Sequence, residues 1–137
     1  MLFNEPAVKA VETFLQRLGY EVQREPEGVF GVDLRAFRGG QSCDVEVEAR
    51  RGTWSNGAFV FPTVHVPCRK LKFINGRPLL LFSLSQDFRL ALVVPGDVIE
   101  DSPKVRVPNA RGGDEEYFVD VDVDRCKAVD LWAGSVS

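Results

Sequence analysis

The pattern of apolar and polar positions changes its period several times along this chain of 137 residues. Near the start, apolar residues recur at intervals of three and four, which predicts an amphipathic helix that ends at Gly19. Those apolar positions are Val8, Val11, Phe14, Leu15 and Leu18. The period then shortens to two, and this alternation predicts strands over residues 20–23, 29–37 and 42–51. Residues 38–41 are typical of a tight hairpin turn between the second and third of these strands.

The second half of the chain predicts a short helix followed by more strands. Residues 68–74 fit about two helical turns that begin after Pro67. The apolar run at residues 78–85 is typical of a strand buried on both faces, and further strands are expected at residues 89–94 and 117–124. The predicted fold class is therefore α+β with an α/β-like core: a helix, a three-stranded antiparallel meander, a short helix, and further strands that form a mixed sheet.

Acidic residues occupy alternate positions of the third predicted strand. Asp44, Glu46 and Glu48 would share one face, with successive side chains about 6.6 Å apart. Such a row repels itself unless water or a cation screens it. Asp33 lies on the preceding predicted strand, so an antiparallel pairing would bring it beside these acids. The resulting cluster of oxygen atoms is suited to a hard divalent cation.

This order of elements, with an acid on the second strand and an acid-x-acid on the third, resembles the PD-(D/E)xK nuclease superfamily. The resemblance implies that Asp33 and Glu46 bind Mg²⁺ or Mn²⁺. Glu48 then stands where the family usually has the lysine that helps to activate the attacking water, and it would orient or deprotonate that water. Lys70, on the short helix, is the candidate substitute cation that steadies the transition state. A register two residues earlier, with Asp44 and Glu46 as the acidic pair, stays open.

Basic side chains near Pro67 offer an edge for contacts with a phosphate backbone. The candidate nucleic-acid-binding residues are His65, Arg69, Lys70 and Lys72. Together with the acidic cluster, they favour a small metal-dependent nuclease-like domain that hydrolyses DNA phosphodiester bonds. Such a domain would be an Mg-dependent endonuclease, of phage or mobile-element origin. By analogy with the family, it could form a homodimer.

Two other functions stay open. The net charge of −3 and the acidic strand also fit a non-catalytic module with a related fold. Such a module would bind or inhibit a basic host protein, for example a nucleic-acid enzyme with a basic channel. A plain structural or assembly protein is the third alternative, because alternating acids also build a solvated strand face. Asp120, Asp122 and Asp124 show the same alternation with no acid in a preceding hairpin.

Three further residues have competing interpretations. His65 is the only histidine, so it is either a general base or a structural residue, and multi-histidine zinc chemistry is excluded. Trp54 either stacks on a base or anchors its own loop. Cys68 follows His65 by three residues, but this spacing across a proline gives no assured geometry for a thiol nucleophile.

Size and composition predict one domain over residues 1–137, with the nuclease-like core at residues 5–85 and extra strands at residues 86–132. The three cysteines are odd in number and far apart, which favours a reducing compartment over a disulfide framework. No signal peptide and no apolar stretch of roughly 20 residues is found, so we expect a cytoplasmic protein with no membrane partner.

Overall fold

The computed structural model describes residues 4–24, 32–74, 76–108 and 115–133. Inside these ranges, the side chains of six residues lie outside the description: Asn4, Arg69, Val107, Pro108, Glu115 and Glu116. The predicted strand at residues 29–37 therefore falls partly outside the described residues.

The described elements alternate between one long helix, many strands and short helical turns. In chain order they are α1 (Asn4–Arg17), β1 (Glu21–Arg24), β2 (Leu34–Arg38), β3 (Gln41–Ala49), β4 (Trp54–Ser55), β5 (Ala58–Phe59), β6 (Thr63–Pro67), a 3₁₀ helix (Cys68–Phe73), β7 (Leu79–Leu84), β8 (Leu90–Pro95), α2 (Gly96–Glu100), β9 (Lys104–Pro108), β10 (Glu115–Asp122), a second 3₁₀ helix (Val123–Arg125) and β11 (Lys127–Asp130). Among the described helices, none combines the length and apolar character needed to cross a bilayer.

A six-stranded mixed sheet organises these elements, in the order β1-β2-β3-β7-β8-β11. The first three strands form an antiparallel meander, β7 then pairs parallel with β3, and the remaining pairs are antiparallel. The predicted α+β class with a mixed sheet is therefore confirmed. Gly39 and Gly40 both have positive φ, at 60° and 79°, which is the backbone of the predicted tight turn between β2 and β3.

Both faces of the main sheet are covered, which decides the environment of the acidic residues. On one face, Val45 and Val47 of β3 pack in a cluster with α1, where Phe14 meets Phe82 edge to face with ring centroids 6.3 Å apart. On the other face, Leu81 of β7 packs in a second cluster with β6 and β10. These two strands belong to a separate three-stranded sheet, β6-β10-β9. The side of β3 that carries the acids therefore faces this second layer, because Leu81 pairs in register with Glu46.

The structure differs from the sequence prediction at several boundaries. Asp33 lies just before β2 and not inside a strand, since β2 begins at Leu34. The loop predicted around Asn56 and Gly57 is a two-residue hairpin between β4 and β5, with φ values of 52° and 79°. The helix α2 was not predicted, because a helix of five residues is too short to show a period. The strand β9 was also not predicted.

Candidate functional site

Asp33 and Glu46 are held together by a reciprocal pair of hydrogen bonds. The Asp33 backbone N–H donates to Glu46 Oε2 at 3.0 Å, and the Val47 N–H donates to Asp33 Oδ2 at 2.8 Å. The pairing follows from strand register: Leu34 is paired with Val45, so one further residue sets Asp33 opposite Glu46. The antiparallel hairpin thus brings the two predicted metal ligands side by side, although Asp33 itself precedes the strand.

Lys70 reaches the same carboxylate from the second layer. Its position on the 3₁₀ helix Cys68–Phe73 lets Nζ donate a short hydrogen bond to Glu46 Oε1. The ammonium group also lies 5.7 Å from the centroid of the Phe73 ring, within the range of a cation–π contact. The structure thus places Lys70, the candidate substitute cation, in contact with Glu46. Its catalytic role stays a prediction.

The carboxyl group of Glu46 titrates near neutral pH. Burial raises its pKa from the ordinary value of 4.5 to about 7, since the residue is only 4% exposed. The hydrogen bond from Lys70 opposes this rise, and the negative charge of Asp33 adds to it. A cation placed between the two carboxylates would relieve this repulsion, so the site is arranged to gain from a positive charge.

Asp44 has different charged partners from the other acids of β3. The residue is 1% exposed, and Oδ1 lies 3.5 Å from Arg35 Nε and 3.3 Å from Arg77 Nη2. Two guanidinium groups therefore balance its charge inside the protein. The geometry favours the Asp33–Glu46 pair over the alternative register with Asp44. It also shows that the solvated-face interpretation is wrong for Asp44 and Glu46, because both are buried.

This assignment of Asp44 makes a prediction. We expect Asp44→Asn to lower the free energy of unfolding by about 1–3 kcal/mol, because two arginines lose their charged partner. Mn²⁺ binding should stay within twofold of wild type. Urea unfolding and Mn²⁺ titration measure the two quantities, and the exposed Asp124→Asn is the matched control. Loss of Mn²⁺ binding at unchanged stability would restore the Asp44–Glu46 register.

Glu48 lies on the same face of β3 and forms an ion pair with Arg50. Arg50 Nη2 donates to Glu48 Oε2 at 3.3 Å. The structure thus brings Asp33, Glu46 and Lys70 together, whereas Glu48 is joined to a cation two residues further along the chain. The water-orienting role predicted for Glu48 stays a prediction.

The predicted nucleic-acid-binding residues whose side chains are described make separate contacts. His65 Nε2 lies 3.1 Å from Asp120 Oδ1, and its ring packs near Phe118 at 5.7 Å between centroids. Lys72 is exposed, with Nζ 5.2 Å from the Phe73 ring. The side chain of Arg69 lies outside the described residues. The basic groups therefore point to different partners, and the role of each in binding DNA stays a prediction.

The second acidic row is divided among separate roles. Asp120 pairs with His65 across the two strands. Asp122 ends β10, where its Oδ1 accepts a hydrogen bond from the Asp124 N–H at 2.9 Å and caps the 3₁₀ helix Val123–Arg125. Asp124 is exposed. β10 is the middle strand of its sheet, so this row does not lie on an edge strand. Its members make separate local contacts near the end of β10.

Two residues near the acids, Ser83 and Arg50, were not identified as candidates from the sequence. Ser83 is 1% exposed, and it pairs in register with Glu48 on the neighbouring strand. Its signal was a single hydroxyl inside the apolar run of β7. Arg50 directly follows the acidic strand, and this position could have indicated that it lies close to the acids. Both line a cavity that is described below.

The carboxylate oxygens of the site are the type of ligand that Mg²⁺ prefers, but few of them are available to hold the ion. Among the residues that the structure describes, no group of three or more His, Cys, Asp or Glu side chains is placed to hold a metal ion. Mg²⁺ commonly keeps several waters and binds through only one or two carboxylates, which Asp33 and Glu46 would supply. No model of a known protein family matches the chain, and no curated protein shows detectable similarity to it. The function is therefore inferred from the geometry alone.

Proposed function

We propose that this chain is a metal-dependent nuclease that hydrolyses DNA phosphodiester bonds at Asp33, Glu46 and Lys70. The observation that carries the proposal is the meeting of two carboxylates and one ammonium group at Glu46. These groups come from the start of β2, from β3 and from the 3₁₀ helix of the second layer. An ordinary solvated strand face would not collect an acid, a second acid and a cation in a partly buried place.

Each residue would have a separate task in the reaction. Asp33 and Glu46 would hold Mg²⁺ or Mn²⁺, which polarises the phosphate and lowers the pKa of a bound water. The Lys70 ammonium would donate to a phosphate oxygen and stabilise the negative charge that develops there. Glu48, one step further along the same face, would orient the attacking water. Arg50 would hold the Glu48 carboxylate in position through their hydrogen bond.

Energetics supports a functional reason for Glu46. Burial raises its pKa to about 7, so its charged form is disfavoured in the folded protein. A buried ion pair is weak support for a fold, and apolar residues of similar size would often be at least as stable. Strongly shifted carboxyl groups are common where chemistry takes place. A catalytic or metal-binding role accounts for a residue that stability alone would not favour.

The alternative of a module that binds a basic protein is less well supported. That alternative relies on the acids of β3 being presented to the partner. Asp44 and Glu46 are buried, and arginines or Lys70 already balance their charges. Little negative charge is therefore left on this strand for a basic partner to meet.

The test of the proposal is metal-dependent cleavage. Supercoiled, linear duplex and single-stranded DNA are incubated with Mg²⁺ or Mn²⁺, and with EDTA as the metal-free control. We expect cleavage with either cation and none with EDTA. Asp33→Asn should weaken Mn²⁺ binding by at least about tenfold, because it removes a charged ligand and keeps the shape of the side chain. Asp124→Asn, an exposed acid outside the site, should bind Mn²⁺ as wild type does.

The proposal fails if two results are found together. The first is that no DNA form is cleaved with either cation, and the second is that wild type and Asp33→Asn bind Mn²⁺ equally. Metal binding without cleavage would retain the metal site and reject the nuclease activity.

A further inference from the structure

A cavity of about 230 Å³ lies beside the acidic face of β3. It is bounded by the end of the acidic strand, by β7 and by the segment that leads into β6. The lining residues used below are Arg50, Phe59, Phe61, His65 and Ser83. They combine two aromatic rings, two nitrogen-bearing side chains and one hydroxyl group.

Contacts place this cavity next to the proposed catalytic site. Arg50 lines the cavity and also donates to Glu48 at 3.3 Å. Ser83 lines it too, and it is the register partner of Glu48 in the parallel pair of β3 and β7. Glu46 precedes Glu48 by two residues on the same face, which is about 6.6 Å on a strand. A ligand in the cavity would therefore lie one step from the acids.

The cavity contains a polar group that lacks a partner. Ser83 is 1% exposed, and its Oγ makes no hydrogen bond within the described part of the chain. Buried hydroxyl groups are nearly always hydrogen-bonded, so this one is placed to bond a ligand. His65 is held in place on the other side by Asp120, with Nε2 3.1 Å from Oδ1. The cavity thus offers polar groups at fixed positions.

One aromatic ring of the cavity wall, that of Phe61, is largely exposed. Phe61 is 51% exposed and meets Phe59 with ring centroids 6.2 Å apart and planes at 72°. Phe59 in turn meets Trp54 edge to face at 5.6 Å. These edge contacts fix the orientation of Phe61 and still leave much of its surface open. An exposed aromatic ring on a rigid support is a stacking platform for a flat ligand.

We propose that this cavity, the base pocket, binds one unpaired nucleobase of the DNA strand that is cleaved. The inference rests on the proposed nuclease function and names its substrate class. A nucleobase combines a flat ring that stacks on Phe61 with an edge that bonds Ser83. The volume is below the roughly 300–1,000 Å³ of sites for drug-sized ligands, so it suits a single ring system. The Arg50 guanidinium suits the attached phosphate.

The base pocket favours single-stranded, mismatched or frayed DNA over paired DNA. A base in a duplex must be unstacked and unpaired before it can enter a pocket, and this has an energetic cost that an unpaired base avoids. The preference for unpaired strands then comes from the pocket, while the acids and Lys70 act on the phosphate next to it.

The experiment compares binding of a short labelled single strand with binding of the same strand carrying abasic residues. Fluorescence anisotropy is recorded in Ca²⁺. We expect wild type to bind the intact strand more tightly, and Phe61→Ala to weaken that binding by about 5- to 150-fold. Tyr117→Ala is the matched control, because Tyr117 is 52% exposed and lies on β10. It should bind as wild type does.

A second readout uses Trp54 as a reporter of the pocket. The chain has two tryptophans, so Trp132→Phe leaves Trp54 alone, in contact with Phe59. Addition of a deoxynucleoside monophosphate should change its fluorescence in a saturable way, and Phe61→Ala in the same background should abolish the change. No saturable change in the single-tryptophan protein would count against the pocket.

The outcomes separate the pocket from the nuclease proposal. If wild type binds intact and abasic strands equally, the base pocket is overturned even when DNA is cleaved. If base-dependent binding is present and lost in Phe61→Ala, the pocket stands even when no cleavage occurs with any cation. Stronger binding of duplex than of single-stranded DNA would also overturn the inferred substrate class.

Discussion

Replacing Lys70 with methionine is expected to slow metal-dependent DNA cleavage by on the order of 10²–10³-fold. Methionine keeps most of the length and apolar contact of the lysine stem and removes only the ammonium group. That group donates to Glu46 Oε1, beside the place where the phosphate would bind. Its loss removes a positive charge positioned for the transition state. Initial cleavage rates under saturating Mg²⁺ measure the effect.

Metal binding should respond differently from the cleavage rate. Lys70 competes with a cation for Glu46, because its ammonium group occupies one of the carboxylate oxygens. Removal of Lys70 also removes a cause that lowers the pKa of Glu46, so the comparison is made at a pH where Glu46 is ionised in both proteins. There, Lys70→Met should bind Mn²⁺ at least as tightly as wild type. A slow enzyme with full metal affinity is the signature of a cation that acts on the phosphate.

Lys72→Met is the matched control for this variant. It removes the same charge from the same 3₁₀ helix, but Lys72 is exposed. Lys72 is also a candidate DNA contact, so the rates are compared at saturating DNA, where a loss of DNA affinity does not lower the rate. We expect the cleavage rate there to stay within about threefold of wild type, because an exposed charge is screened by water and salt. Equal losses in both variants would mean that only the general charge of this helix matters, and the specific role of Lys70 would be abandoned.

The meeting of Asp33 and Glu46 could be predicted from local patterns in the sequence. A period of two identified the strand that carries Glu46, and the Gly39-Gly40 turn fixed the hairpin that sets Asp33 opposite it. Lys70 became a candidate through the resemblance to the nuclease superfamily, because Glu48 stands where that family usually has a lysine. The signals for the strand and the hairpin depend on neighbours in the chain, where periodicity and turn residues are informative.

The burial of the acids could not be predicted in the same way. Alternation shows which residues share a face, but it does not show what covers that face. The cover is the β6-β10-β9 layer, in which Val64 and Val121 pair across a long stretch of sequence. The partners of Asp44 illustrate the same limit. Arg35 is its cross-strand neighbour and follows from the hairpin, whereas Arg77 arrives from the segment before β7.

Replacing Glu46 with glutamine is expected to remove a large pH dependence from the stability of the metal-free protein. The pKa of Glu46 rises from 4.5 to about 7 on folding, chiefly through burial, so the folded state prefers the protonated form. This group therefore contributes stability that is fully present below about pH 4.5 and lost as the pH rises through 7. The loss amounts to roughly 3 kcal/mol. Glutamine does not titrate, so its contribution stays constant.

Urea unfolding in EDTA at several values between about pH 4 and pH 8 measures this effect. The free energy of unfolding of wild type should fall relative to Glu46→Gln as the pH rises. Glu12→Gln is a control of opposite sign, because the hydrogen bond from Arg24 lowers the pKa of Glu12. That contribution is present at high pH and lost as the pH falls. Parallel curves for wild type and Glu46→Gln would show that Glu46 carries no such strain.

The sign of this effect bears directly on function. An ionised Glu46 lowers the stability of the fold under neutral conditions, and a neutral glutamine of nearly equal size would avoid this cost. Residues that oppose stability in this way are characteristic of sites where activity requires them. If Glu46→Gln is more resistant to urea near pH 8 yet loses Mn²⁺ binding, one side chain links both observations. The acidic strand would then owe its buried carboxylate to chemistry, since packing alone would favour the amide.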